Sequence, residues 1–191
     1  MKIFNNQYSL INAFLPFIII CFFLLDSMIY KNIKGIVFLI GLSFTIMMTI
    51  FVGNSFDFSY TNMNDICQPF TINNTVKFTK LPLNPSILIF TAIYLSYTIF
   101  KNNFVLSNLN FLIIIALVII SDSLWLIQNN CYNVQQLLVS SGIGLIVSLI
   151  WSVVIHKSNN KSIIYTLGVD NNSVCEVPKK KTFKCKYKPT K

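Results

Sequence analysis

Cys131 has the most distinctive setting among the residues of this chain that could do chemistry. It lies in the polar run NNCYNVQQ, and a long apolar segment follows directly. A thiolate can act as a nucleophile, whereas a thiol on the oxidising side of a membrane can form a disulfide. The chain has one histidine, His156, and all 15 of its basic residues are lysine. The chemistry open to Cys131 therefore depends on its compartment and on the elements that position it.

The composition indicates a membrane environment. Of 191 residues, 54% are hydrophobic and only 11% are charged. A soluble domain of this length cannot hide so much apolar surface, because a core in water needs a polar shell around it. The chain is therefore predicted to be an integral membrane protein.

Five segments are long and apolar enough, or nearly so, to cross a bilayer as helices. Pro85 suits the start of the third segment. The backbone N–H that proline lacks would have no partner in the first turn of a helix in any case. The first segment could instead be a cleaved signal peptide, although no small-x-small cleavage site follows it. We predict an all-α membrane bundle over residues 1–156 and a basic, disordered cytosolic tail over 157–191, with spans at about 8–25, 33–52, 85–100, 104–124 and 134–155.

The lysines segregate between the two faces of such a bundle. With five spans, twelve lysines lie on one face, and these include Lys101 and the nine in the tail. Lys2, Lys77 and Lys80 lie on the opposite face. Because cytosolic loops are enriched in lysine, the C-terminus is predicted to be cytosolic. The N-terminus and the two larger loops, 53–84 and 121–133, are then lumenal or external.

This orientation sorts the five cysteines. Cys21 lies within the first span, and Cys175 and Cys185 lie in the cytosolic tail, where thiols stay reduced. Only Cys67 and Cys131 fall on the oxidising side, so they are predicted to form a disulfide. The alternative is two unrelated free thiols.

Two further features lie in the lumenal loops. Asn73 opens an Asn-Asn-Thr tripeptide and is a candidate for N-glycosylation. Asp122 lies near the lumenal end of the fourth span, and carboxylates within a membrane often serve function. Its interfacial position instead favours a helix-end or solvent-facing role.

Small residues recur at every fourth position of the fifth span. They lie on one helix face, where they allow another helix to approach closely. Packing within the bundle is favoured over a dedicated dimer interface. The members of this small-residue stripe are Ser140, Gly144, Ser148 and Ser152.

The order of elements over residues 67–156 resembles the type 2 phosphatidic acid phosphatase superfamily, whose motifs are K-x6-R-P, P-S-G-H and S-R-x5-H-x3-D. Pro85 and Ser86 match the first half of the second motif. Cys131 and Gln135, four positions apart and followed by the small-residue stripe, look like the third. The resemblance implies a phosphatidic acid phosphatase-like helical bundle with a site that faces the lumen.

The residues that do the family's chemistry are replaced. Ile87 and Leu88 occupy the positions of the glycine and the acid histidine, Cys131 that of the nucleophilic histidine, and Trp125 that of the phosphate-binding arginine. A cysteine nucleophile would need glycines and arginines around the phosphate to lower its pKa, and NNCYNVQQ supplies none. The resemblance therefore implies a degenerate relative with no catalytic residue, no metal and no cofactor.

The arrangement is also similar to short multi-pass membrane proteins of large DNA viruses of eukaryotes. This similarity implies a structural or assembly role in a host or virion membrane. Two alternatives stay open: a lipid phosphate phosphatase with an atypical site, and a lipid-binding or transport protein, for which Asn12 and Asn110 within the spans are weak support.

The expected partners are membrane lipids and other membrane helices, in a homo- or hetero-oligomer. The chain ends in VPKKKTFKCKYKPTK, whose seven lysines can attract an anionic leaflet or an acidic protein surface. The two tail cysteines have no histidine nearby, which argues against a zinc site.

Overall fold

The computed structural model describes residues 2–29, 31, 33–56, 67, 79–102 and 105–158, with the side chains of the first helix described from Phe14 onward. The predicted glycosylation site at Asn73 and nearly all of the predicted tail lie outside these residues. Every regular element within them is helical: α1 Lys2–Ile29, α2 Lys34–Ser55, α3 Leu83–Lys101, a 3-10 turn at Leu106–Asn108, α4 Leu109–Gln128 and α5 Val134–Lys157.

Four of these helices, α2 to α5, are long and apolar enough to cross a bilayer, with the 3-10 turn continuing into α4. The described apolar part of α1, Phe14–Ile29, is shorter. Large apolar side chains that would be costly to expose to water lie on the outer surface, Met28, Phe51 and Leu117 among them. Lipid is the solvent that such a surface requires. The chain is a helical multi-pass membrane protein.

The centre of the bundle is an aromatic cluster between α2 and α3. Phe38 of α2 is fully buried and stacks on Phe23 of α1, with ring centroids 3.8 Å apart. On its other side Phe38 contacts Phe90 and Tyr94 of α3. Flat rings contribute large contact areas where the hydrophobic effect between helices is weak, so this cluster joins the first three helices.

Helices α3 and α5 run parallel with a constant register. Ser140 donates a hydrogen bond from Oγ to the backbone carbonyl of Pro82, and Ser148 donates one, 2.9 Å long, to that of Phe90. Both pairs are separated by 58 positions. Chain numbers rise together along the two helices, so α4, which connects them, must run the opposite way.

The small-residue stripe is the α5 side of this contact. Its four members are buried, and Gly144 lies so close to α3 that a Cβ atom there would be 2.5 Å from the Ser86 carbonyl oxygen. The stripe therefore serves packing within the chain. The register also gathers three helix ends, the starts of α3 and α5 and the end of α4, at one end of the bundle, here called the mouth.

Candidate functional site

The mouth holds most of the residues that carry the sequence resemblance to the phosphatase motifs. Pro85 and Ser86 are buried in the first turns of α3, and the Ser86 hydroxyl donates to the Leu83 carbonyl at 2.8 Å. Trp125 is half-buried in α4, and Cys131 is fully buried in the turn between α4 and α5. The fold brings these side chains to one end but directs the Ser86 hydroxyl at its own helix.

Cys131 is joined to Cys67, with the two sulfur atoms 2.06 Å apart and the Cα atoms 5.4 Å apart. The bridge is covered by apolar side chains: Leu126 and Leu137 pack with Cys131, and Trp125 and Tyr132 lie against them. Burial raises the pKa of the Tyr132 hydroxyl. The Cys131 sulfur is therefore in a covalent bond inside an apolar cluster, without a thiol to ionise.

The two residues after Ser86, which the resemblance sets against the family's glycine and acid histidine, lie in the core. Ile87 and Leu88 are each nearly fully buried, and Ile87 belongs to the aromatic cluster. Side chains at these positions contribute packing to α3. They offer neither a proton nor a hydrogen-bond donor to the mouth.

Gln136, which the sequence reasoning missed, is the polar side chain of α5 that organises the mouth. Its Oε1 accepts a hydrogen bond of 2.9 Å from the backbone N–H of Asn133, and its Nε2 donates to the carbonyl of Lys80 at 3.3 Å. Gln135, which the resemblance sets against the family's aspartate, is exposed. An asparagine followed three positions later by glutamine is the signal that could have identified Gln136, since this spacing marks a capped helix start.

We expect Gln136→Ala to lower the free energy of unfolding by about 1 kcal/mol, because it removes a helix cap and a tie to the segment before α3. Gln135→Ala is the matched control and should change it by less than about 0.5 kcal/mol, as exposed substitutions usually do. Denaturant unfolding of the detergent-solubilised variants measures both. Equal effects of the two substitutions would contradict this assignment.

Asp122 departs from the sequence expectation. A helix-end or solvent-facing role is wrong, because α4 continues to Gln128 and the Asp122 side chain is only 2% exposed. The Asn84 side chain of α3 interacts with it. The mouth thus contains a carboxyl group enclosed between two helices.

His156 lies at the opposite end of the bundle. Its Nδ1 is 3.1 Å from the Ser152 carbonyl, and its ring packs edge-on against Tyr97 with centroids 4.9 Å apart. Helix α5 has 24 residues and is about 36 Å long at 1.5 Å per residue. The imidazole therefore cannot reach a substrate held near Cys131.

Over the described part of the chain, no group of three or more His, Cys, Asp or Glu side chains is placed to hold a metal ion. Comparison with known proteins adds no relative: no family model, no curated protein and no solved structure matches this sequence.

Proposed function

We propose that this chain is a non-catalytic multi-pass membrane protein with a structural or assembly role in a viral or virus-modified membrane. The observation that carries the proposal is the state of Cys131. The side chain best placed to be a nucleophile is bonded to Cys67 and buried among apolar residues. A group in that state stabilises the mouth and has no lone thiolate with which to attack a phosphoryl group.

The surroundings of Cys131 support the same interpretation. Phosphoryl transfer needs cations around the phosphate and an acid for the leaving oxygen. The corresponding positions are Trp125, which packs on the disulfide cluster, and Leu88, which is buried in the core. The side chains that would do the chemistry have been replaced by side chains that fill space.

The orientation and the partners are parts of the proposal that rest on the lysines. A cytosolic C-terminus places the lysine-rich end beside a leaflet that carries anionic lipids, where each lysine near the surface gains about 1 kcal/mol. The mouth then faces the lumen or the exterior, the side on which a Cys67–Cys131 disulfide is stable. The viral setting rests on the similarity to short membrane proteins of large DNA viruses, and many copies in purified particles of a source virus are expected.

The test of the non-catalytic role is phosphate release from phosphatidic acid and other lipid phosphates by the detergent-purified full chain. Wild type, Cys131→Ala and Cys67→Ala should all stay at the background of a mock purification. Cys67→Ala is the matched control, because it breaks the same disulfide and leaves the Cys131 thiol free. The proposal would be overturned if the wild type or Cys67→Ala released phosphate and Cys131→Ala did not. That result would show a cysteine-based lipid phosphatase.

A further inference from the structure

Helix α4 is held to the bundle by very few side chains. Of its residues only Asp122 and Leu126 are buried, and both lie in its last two turns, at the mouth. The rest of α4 exposes large apolar side chains such as Ile113, Leu117 and Ile120. In a bilayer these side chains contact lipid, which is as apolar as they are. The hydrophobic effect therefore contributes little to holding α4 against the bundle. Apart from the partly buried Phe111, which packs against the aromatic cluster, the buried pair is the main described contact of α4 with the bundle.

One member of that pair is a carboxyl group for which the described part of the chain supplies no charged partner. Neither oxygen of Asp122 has a partner in hydrogen-bond geometry among the described residues, although the Asn84 side chain is close enough to interact with it. The Trp125 Nε1, one turn further along α4, is likewise buried and has no described partner. The titratable groups described at this end of α2, α3, α5 and the connecting turns are Lys80, just before α3, and Tyr132, just after α4.

A buried carboxylate is costly unless a cation or several donors compensate for its lost hydration. Adding a proton removes the charge. It also converts the group into a donor as well as an acceptor, which is the complement of a side-chain amide. A neutral acid and the Asn84 amide can then exchange two hydrogen bonds across the α3–α4 contact.

We propose that Asp122 and Asn84 form an intramembrane proton-binding site that couples the docking of α4 to protonation. With the proton bound, the acid–amide pair holds the end of α4 against α3. Loss of the proton leaves a carboxylate for which the single Asn84 amide of α3 is too little solvation, and the end of α4 moves away to reach water at the mouth. This site is independent of the proposed assembly role and would exist in a protein of any function.

The test is infrared spectroscopy of the full chain reconstituted in liposomes, since a protonated carboxyl has a C=O stretch that is separate from those of carboxylates. A band present at pH 5 should vanish in Asp122→Asn and remain in Asp26→Asn, the matched control in α1. Asn84→Ala should shift the band to higher frequency, because the acid carbonyl loses its amide donor. The same band should fade from the wild type as the pH is raised.

Three outcomes would overturn the proposal. One is the absence of a protonated carboxyl band from the wild type at pH 5, and another is a band that survives in Asp122→Asn. The third is a band frequency that Asn84→Ala leaves unchanged. The first and third do not require Asp122→Asn to fold, so the site can be refuted even if that variant fails.

Discussion

Gly144→Ala is expected to lower the free energy of unfolding by about 2 kcal/mol, within the range for overpacking a tight contact. The new Cβ would lie 2.5 Å from the carbonyl oxygen of Ser86 and 3.1 Å from its carbonyl carbon. These are backbone atoms of α3 and cannot rotate away as a side chain could. The two helices must therefore move apart, which weakens the hydrogen bonds that Ser140 and Ser148 make on either side.

Gly142→Ala is the matched control, two positions away in the same helix. A Cβ at Gly142 would have no atom within 4 Å. Alanine has a higher helix propensity than glycine, so this variant should be neutral or more stable by up to about 1 kcal/mol. Unfolding of both variants in mixed detergent measures the difference. If Gly144→Ala is as stable as Gly142→Ala, the α3–α5 contact is looser than the structure has it.

The four helices α2 to α5 and the packing face of α5 could be predicted from the sequence because each depends on local pattern. Length and hydropathy alone locate the helices, and the recurrence of small residues every fourth position defines one face. The partner of that face could not be predicted. Nothing in the stripe itself indicates that α3 is its neighbour or that residues 58 positions apart face each other.

The misjudgement of Asp122 has a specific physical cause. The predicted fourth span ended at Leu124, which placed the carboxyl within a turn of the end, whereas α4 continues to Gln128. Hydropathy detects where apolar residues stop, and a helix can continue through polar residues when its end is capped or packed. The extra turn, together with the contact to α3, encloses Asp122.

At the mouth, the motif resemblance pointed to Gln135, whereas the buried polar side chain at the start of α5 is Gln136. Spacing from Cys131 selected Gln135, but the first turn of α5 begins after Asn133, and this start directs Gln136 inward. Helix phase depends on where the first hydrogen-bonded turn begins, and a motif with altered residues no longer fixes that point. The capping pattern would have been the better guide.

Removal of the Cys67–Cys131 bridge is expected to lower the free energy of unfolding by about 4 kcal/mol, the largest effect among these substitutions. The bridge joins residues 64 positions apart, and a loop of that size restricts the unfolded chain by roughly this amount in the chain-entropy description. Cys67→Ser and Cys131→Ser should each abolish the mobility difference between non-reducing and reducing gels. Cys21→Ser, which replaces an exposed free thiol, should leave it unchanged.

The double variant distinguishes the bond from the packing around it. If the covalent link dominates, the double variant Cys67→Ser/Cys131→Ser should be as stable as the less stable of the two single variants. The reason is that both substitutions remove the same bond. Cys131→Ser should be the more destabilising single change, since it also places a hydroxyl among Leu126, Leu137 and Trp125. A mobility difference that persists in Cys67→Ser would rule out this pairing. Cys131 would then not be bonded to Cys67, and the principal support for a non-catalytic mouth would be lost.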